Sequence, residues 1–295
     1  MANTIVYNKY DYQVKVRERI SKPTCWQDIL LVKYSNARAI TGSYMSTEPS
    51  VVGGTRGTAY NYQSFVLTAD TLTINQYKNI PMFIDEADRH QQSYVDQMSI
   101  AAFQGDKISE KLESLMLANY GSWKDFGLTD LANTAQDDSS AITVSAANID
   151  DILRAVKRKL RVHHLVDLSV KNGVFFVWRP EDFEFLEGFV QANGFQEADL
   201  ALKNGIPVEK AFYYLGCYHY LSTQHTAGHV FCGIKKTAEL GILRGTFGKV
   251  KFNEDPPVSV STAAPASGLG IVSRVDYGFN HPAQLADAFI DLNVA

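Results

Sequence analysis

The apolar period of this chain switches once, abruptly, from that of a strand to that of a helix, and this switch limits the possible folds more than any other feature. From Phe65 to Asp85 the run FVLTADTLTINQYKNIPMFID sets Leu72, Ile74, Ile80, Met82 and Ile84 on one parity and Thr71, Thr73, Asn75 and Asn79 on the other. Such alternation gives an extended chain one apolar and one polar face, so it predicts a long half-buried β-strand or the return arm of a hairpin. Pro81 lacks the N–H that a ladder needs, which confines it to an edge or a bend. Between Ala87 and Asn119 the apolar groups Tyr94, Met98, Ala101, Ala102, Ile108, Leu112, Leu115 and Met116 instead recur at steps of three and four or their multiples. Asp96, Lys107, Glu110 and Glu113 fall between them, completing an amphipathic helix. Asp85, Glu86 and Asp88 suit its positive end, and Gly121 is a natural stop. About 33 residues at roughly 1.5 Å each make a helix on the order of 50 Å long, and Gly105 is the place for a bend.

The segment before the switch is of a different character. Thr41 to Gln63 holds four glycines, one proline and few large aliphatic groups. That is too long for an ordinary loop and too poor in apolar groups to pack on itself, so it predicts a projecting hairpin whose partners lie on another molecule. Residues 1–40 carry seven basic and three acidic groups, a charge of +4, which leaves −8 for the rest of a chain whose total is −4. A basic arm on an acidic body fits self-association, while the near balance of 28 basic and 32 acidic groups excludes a bulk electrostatic grip on nucleic acid. The longest unbroken apolar stretches, Ile29–Val32 and Gly173–Trp178, are far below the roughly 20 residues of a membrane span. No targeting pattern is visible at the amino end. Cys25, Cys217 and Cys232 give no disulfide framework and fit a reducing compartment.

Downstream, Asn148–Val162 reads as a second helix with Ile149, Ile152, Leu153, Val156 and Leu160 on one face, opened by Asp150 and Asp151 and closed by Lys157, Arg158, Lys159 and Arg161. Val174–Trp178 reads as a buried strand, and Pro180 as the first turn of a helix turning Phe183, Leu186 and Phe189 inward. Strands follow at 211–221, 229–235, 242–252 and 270–279, so the fold class is α+β. One cluster invites chemistry: Cys217, His219, His225, His229 and Cys232 lie within sixteen residues. They would serve a metal-dependent hydrolase, but the paired spacing of a zinc knuckle is absent, and alternation on strands accounts for them as packing residues. His163 and His164 are explained by the preceding helix end. The chain has no phosphate loop, nucleophile elbow, H-E-x-x-H or G-x-G-x-x-G. No catalytic, cofactor-binding or metal residue is therefore predicted, and no cofactor. The candidate inter-subunit contacts are Lys15, Arg17 and Arg19 in the arm and Glu48, Arg56 and Tyr60 in the hairpin.

The order of elements carries further information: a charged arm, a projecting hairpin, a strand, a very long helix and then an α+β body ending in strands. With TLTINQYKNIPMFIDEADRHQQSYVDQMSIAAF, ANIDDILRAVKRKL, VFFVWRPEDFEFL, NGIPVEKAFYYLGCYHYLS, AGHVFCGIKK and YGFNHP, the chain resembles the major capsid proteins of tailed bacteriophages, which have the Hong Kong 97-like fold. The resemblance implies an N-terminal arm (1–40), an extended β-hairpin loop (41–80), a peripheral domain with the long spine helix (81–145), an α/β axial domain (146–244) and C-terminal strands returning to the peripheral domain (245–295). It implies a structural coat protein and no enzyme, forming hexamers and pentamers of an icosahedral shell around double-stranded DNA that it touches weakly and non-specifically. Scaffolding, portal and decoration proteins are further implied partners; a membrane is not. The implied location is the virion capsid, assembled in the host cytoplasm. An encapsulin-type compartment shell is the alternative that shares this fold.

Overall fold

The expected elements are nearly all present in the computed structural model, which describes residues 24–45, 51, 53–54, 56–57, 62–85, 94–119, 143–162, 166–193, 212–246, 250–254, 268–282, 285 and 288–294. In chain order they are α1 (Trp26–Ile29), β1 (Leu31–Ser35), β2 (Ala39–Met45), β3 (Leu67–Thr73), β4 (Gln76–Asp85), α2 (Tyr94–Asn119), α3 (Ile149–Val162), α4 (Val166–Asn172), β5 (Val174–Trp178), α5 (Pro180–Asn193), β6 (Phe212–Tyr214), β7 (Cys217–Leu221), β8 (His229–Ile234), β9 (Glu239–Leu243), β10 (Val250–Glu254), β11 (Gly268–Asn280) and β12 (Phe289–Asn293). No described helix is long and apolar enough to cross a membrane.

Among the described residues two five-stranded sheets form the body, and a third, two-stranded sheet is the hairpin β2–β3. In the first sheet the long strand β11 is central. It pairs antiparallel with β4 over residues 268–277, with β10 over 269–273 and with β9 over 277–280, and β9 pairs parallel with β1. The 65–85 run is thus two strands rather than one. Its parity continues through Leu72 and Ile74, both buried, but the backbone partner changes from β2 to β11. Pro81 lies on β4, whose one strand partner among the described residues is β11, in keeping with its missing donor.

The second sheet runs β12-β8-β5-β7-β6 and supplies more buried apolar residues than the first. Every residue of β5 is buried, as a strand covered on both faces must be. Phe175, Phe231 and Phe289 meet from three strands, with ring centroids 5.1 Å apart for the first two and 5.4 Å for the last two. The predicted stripe of α3 is fully used: Ile149, Ile152, Leu153, Val156 and Leu160 are each at most 1% exposed. Asn148 ends the preceding turn, its Oδ1 accepting from Ser145 N–H at 2.9 Å. α5 starts at Pro180 and buries Phe183, Leu186 and Val190.

The long helix α2 has 26 described residues, roughly 39 Å at about 1.5 Å per residue. It runs through Gly105 unbroken, so the expected bend there does not interrupt it. Asp88 and Gly121, the groups proposed to start and stop it, lie outside the described residues. Ile108, Leu112 and Met116 face inward. Gln104 fastens α2 across the first sheet: its amide donates to the carbonyls of Ile80 and Ile271, and Ser273 Oγ donates back to it at 2.6 Å.

Three placements differ from the sequence reading. Residues 24–35 belong to the body rather than to a peripheral arm, because Trp26, Ile29 and Leu30 are buried and β1 extends the first sheet. β9, grouped above with the second half of the chain, pairs in the first sheet. β12 pairs with β8 in the second sheet, not with its neighbours in sequence β10 and β11. Five short residues of mixed polarity, FIDLN, give no period from which that could be read.

Candidate assembly surfaces

The hairpin is built outward from a fixed base. β2 and β3 pair from Ala39 opposite Thr73 to Met45 opposite Leu67. At the base, Ile74 N–H donates to the Arg38 carbonyl at 2.7 Å, and Asn280 Nδ2 donates to Asp70 at 2.9 Å. Gly278 of β11 is required here, since a Cβ on it would land on the Thr73 carbonyl oxygen. Away from the base the side chains leave the body: Phe65, Val66 and Leu67 are 63%, 55% and 59% exposed and Tyr62 is 96% exposed. Burying them at about 25 cal/mol per Å² would favour contact with another molecule. Further large apolar groups are exposed on strands with one strand partner among the described residues: Leu31 and Tyr34 on β1, Tyr77, Met82 and Phe83 on β4.

Of the six predicted contact residues only Arg56 is described. It is exposed at a turn beside Gly57, whose φ of +96° needs glycine. Lys15, Arg17, Arg19, Glu48 and Tyr60 lie outside the described residues, as do His163 and His164.

The cysteine and histidine cluster is packing. His219 is buried against Phe176 and Trp178. Its Nδ1 accepts from Trp178 Nε1–H at 3.0 Å, which leaves the ring proton on Nε2, 3.3 Å from the Tyr214 carbonyl. Burial lowers its pKa to about 3, so the ring is neutral near pH 7. His225 is likewise lowered by burial, to about 4, and its Nε2 accepts from Phe231 N–H. His229 turns to Asp291 at 3.1 Å. Burial pushes the Cys217 thiol up to about 11 and raises Cys232 well above its ordinary value. Protonated, buried thiols are poor nucleophiles and poor ligands. No group of three or more His, Cys, Asp or Glu able to hold a metal occurs among the described residues.

Sequence reasoning missed one polar site. Glu113 was placed on the solvent face of α2, yet it is fully buried. One carboxylate oxygen accepts from Cys25 N–H at 2.5 Å and the other from Ser222 Oγ at 2.7 Å, so α2 holds both the start of α1 and the end of β7. Burial raises its pKa above the usual carboxylate range, opposed by these hydrogen bonds. At the other end of α1, Lys236 Nζ donates to the carbonyls of Gln27 and Leu30. No local signal marked Glu113, because its partners lie 88 and 109 residues away.

Charge is segregated on two helices. Arg154, Lys157, Arg158 and Arg161 line an open groove on the outer side of α3. Arg154 pairs with Asp150, and Lys157 donates to the Leu215 carbonyl. α5 carries Glu181, Asp182, Glu184 and Glu187 and no basic residue.

The sequence matches no protein-family model and no curated protein. Solved structures do match. Over 94% of its length the chain is similar to the capsid of the cyanophage P-SCSP1u, with 13% identity, 90% of that chain covered and a TM-score of 0.60. Over 94% it is similar to the mature capsid of bacteriophage PhiM1, with 12% identity, 89% of that chain covered and a TM-score of 0.57. A virus-like particle from Pyrococcus furiosus matches over 96% of both chains at 10% identity and a TM-score of 0.51. The chain has the mixed α+β fold of bacteriophage capsid subunits.

Proposed function

We propose that this chain is the major capsid subunit of a tailed bacteriophage, assembling with itself into the pentamers and hexamers of an icosahedral shell around double-stranded DNA. The observation that carries this is the fold likeness to two phage capsids along 94% of the chain. In this reading β2–β3 is the extended loop, α2 the spine helix of a peripheral domain built on the first sheet, and the second sheet the axial domain. The exposed apolar groups of the hairpin and of strands β1 and β4 then become contacts on neighbouring subunits, where many weak interfaces in one closed assembly add up. Arg56 at the hairpin turn, the arm residues Lys15, Arg17 and Arg19, and Glu48 and Tyr60 are contact residues in this reading. The chain acts as a coat protein rather than an enzyme, in the virion, after assembly in the host cytoplasm with scaffolding and portal proteins.

Expression alone and with a scaffold, followed by negative-stain microscopy and light scattering, tests the proposal. Particles, rings or sheets far above 32.8 kDa are expected; a clean monomer under every condition would overturn it. The likeness to the Pyrococcus furiosus particle keeps an encapsulin-type compartment as the second reading. The TM-scores of 0.60 and 0.57 to phage capsids against 0.51 favour the first. Nuclease-protected DNA inside the particles supports the capsid, and a co-purifying enclosed enzyme supports the compartment.

A further inference from the structure

A chain with a net charge of −4 has no bulk attraction for DNA, so any hold it takes on phosphate is local. One surface has the chemistry for it. On α3 the apolar stripe Ile149, Ile152, Leu153, Val156 and Leu160 is buried, which turns Arg154, Lys157, Arg158 and Arg161 the other way. These four line an open groove of about 440 Å³, and among the described residues no acidic side chain shares that lining.

The groove runs beside the β6–β7 turn, where Leu215 and Gly216 have φ of +50° and +72° and Lys157 Nζ donates to the Leu215 carbonyl. The position that a Cβ on Gly216 would take lies 3.2 Å from Lys157 Nζ and 3.8 Å from the Tyr213 hydroxyl. Glycine therefore leaves a space there bordered by two hydrogen-bond donors. Burial raises the Cys217 thiol and Lys157 and Arg161 oppose it, so their field reaches the start of β7.

Phosphate contact does not require these cations to lack partners. Arg154 pairs with Asp150 while its side chain stays 66% exposed, Arg158 is engaged too, and Lys157 uses one N–H on Leu215. A guanidinium has more donors than one carboxylate uses, and exposed ion pairs are weak, so both kinds of group still accept a phosphate oxygen as partner. An open groove suits a chain lying across it better than a small molecule, which a pocket largely encloses. Its charge suits DNA better than protein, because protein interfaces deplete charge at their centres and DNA interfaces are strongly cationic. Arg154 to Arg161 rises about 10 Å along the helix, about three steps of one DNA strand at about 3.4 Å each.

We infer that the groove between α3 and the β6–β7 turn seats the phosphate backbone of double-stranded DNA, in contacts that position the duplex without reading its sequence. The inference rests on the shell reading above for the source of the duplex.

Fluorescence anisotropy of a short labelled DNA duplex tests it over a salt series, with full-length chain held below the concentration at which it assembles. Arg158→Gln with Arg161→Gln should reduce the slope of log affinity against log salt by about 1.8 and weaken binding at low salt by about tenfold or more. Arg158→Lys with Arg161→Lys should keep the slope, and Lys171→Gln at the end of α4 should change neither quantity. Circular dichroism melts establish that each variant folds. An unchanged slope in the glutamine variant overturns the inference, as does an equal loss in the lysine variant. So does a glutamine variant that keeps its DNA affinity and loses shells, which would assign the groove to a protein partner. Wild-type chain that forms shells and binds no duplex overturns the inference alone. Wild-type chain that binds duplex through the groove and never assembles overturns the shell reading alone.

Discussion

Glu113→Gln and Glu113→Ala separate the two effects that compete at this fully buried carboxylate of α2. Alanine leaves the Cys25 amide facing a void. A buried donor without an acceptor costs about 1–3 kcal/mol, and the lost methylene about 0.8 kcal/mol more, so a destabilisation of about 2–4 kcal/mol is expected. Glutamine keeps both contacts, its oxygen accepting from Cys25 N–H and its amide donating to Ser222 Oγ, and at pH 5 it should lie within about 1 kcal/mol of wild type. The informative quantity is how that difference moves with pH. Burial raises the folded-state pKa of Glu113 above its ordinary 4.5, so the folded chain holds this proton more tightly than the unfolded chain. Its contribution is complete below 4.5 and is lost as pH rises through the folded value. His219 and His225, lowered to about 3 and about 4, run the other way, losing their contribution as pH falls below their ordinary 6.5. They cancel in the difference between wild type and variant. Urea melts of unassembled wild type and both variants from pH 5 to 8 should show the glutamine variant gaining on wild type as pH rises. A gap that widens in favour of wild type would show that the Cys25 and Ser222 donors outweigh burial, and would refute the reasoning.

Gly278→Ala should destabilise the subunit by about 1–3 kcal/mol, because the new methyl displaces Thr73 and with it the base of the hairpin; an unchanged melting temperature would contradict that. Replacing residues 46–66 by a tight turn joining β2 to β3 should leave the subunit's melting transition intact and abolish closed shells, as judged by microscopy. Charge reversal at Lys15, Arg17 and Arg19 should reduce assembly even without DNA, whereas normal empty shells with a defect only in genome packaging would make the arm a DNA contact.

How far the sequence could be read depended on whether a residue's partner was local. α3 and α5 were legible because burial along each follows its own period, with Asn148 and Pro180 marking the starts, and β5 because its run of five apolar residues suits a strand covered on both faces. The 65–85 run misled in one respect: parity records which face is buried and is blind to which backbone supplies the ladder, so the change of partner at Ile74 left no trace. Trp26 sat in a charged stretch without period, and the group that receives its indole N–H, Ser109 of α2, is far along the chain. Among the candidate contacts, the four cations of α3 were noticed only as a helix end. Their outward direction follows from the apolar stripe opposite.

The crossing of β12 to the other sheet makes completion of that sheet wait for a strand made after β10 and β11. β8 lies between β5 and β12, so until residues 289–293 leave the ribosome, β8 shows a bare backbone edge and Phe231 lacks the ring of Phe289. An interrupted chain stopping before Phe289 therefore carries a sticky, unfinished sheet rather than a smaller stable unit. In the proposed shell, where single defective members matter, this arrangement exposes a truncated copy to proteases before it can be built in.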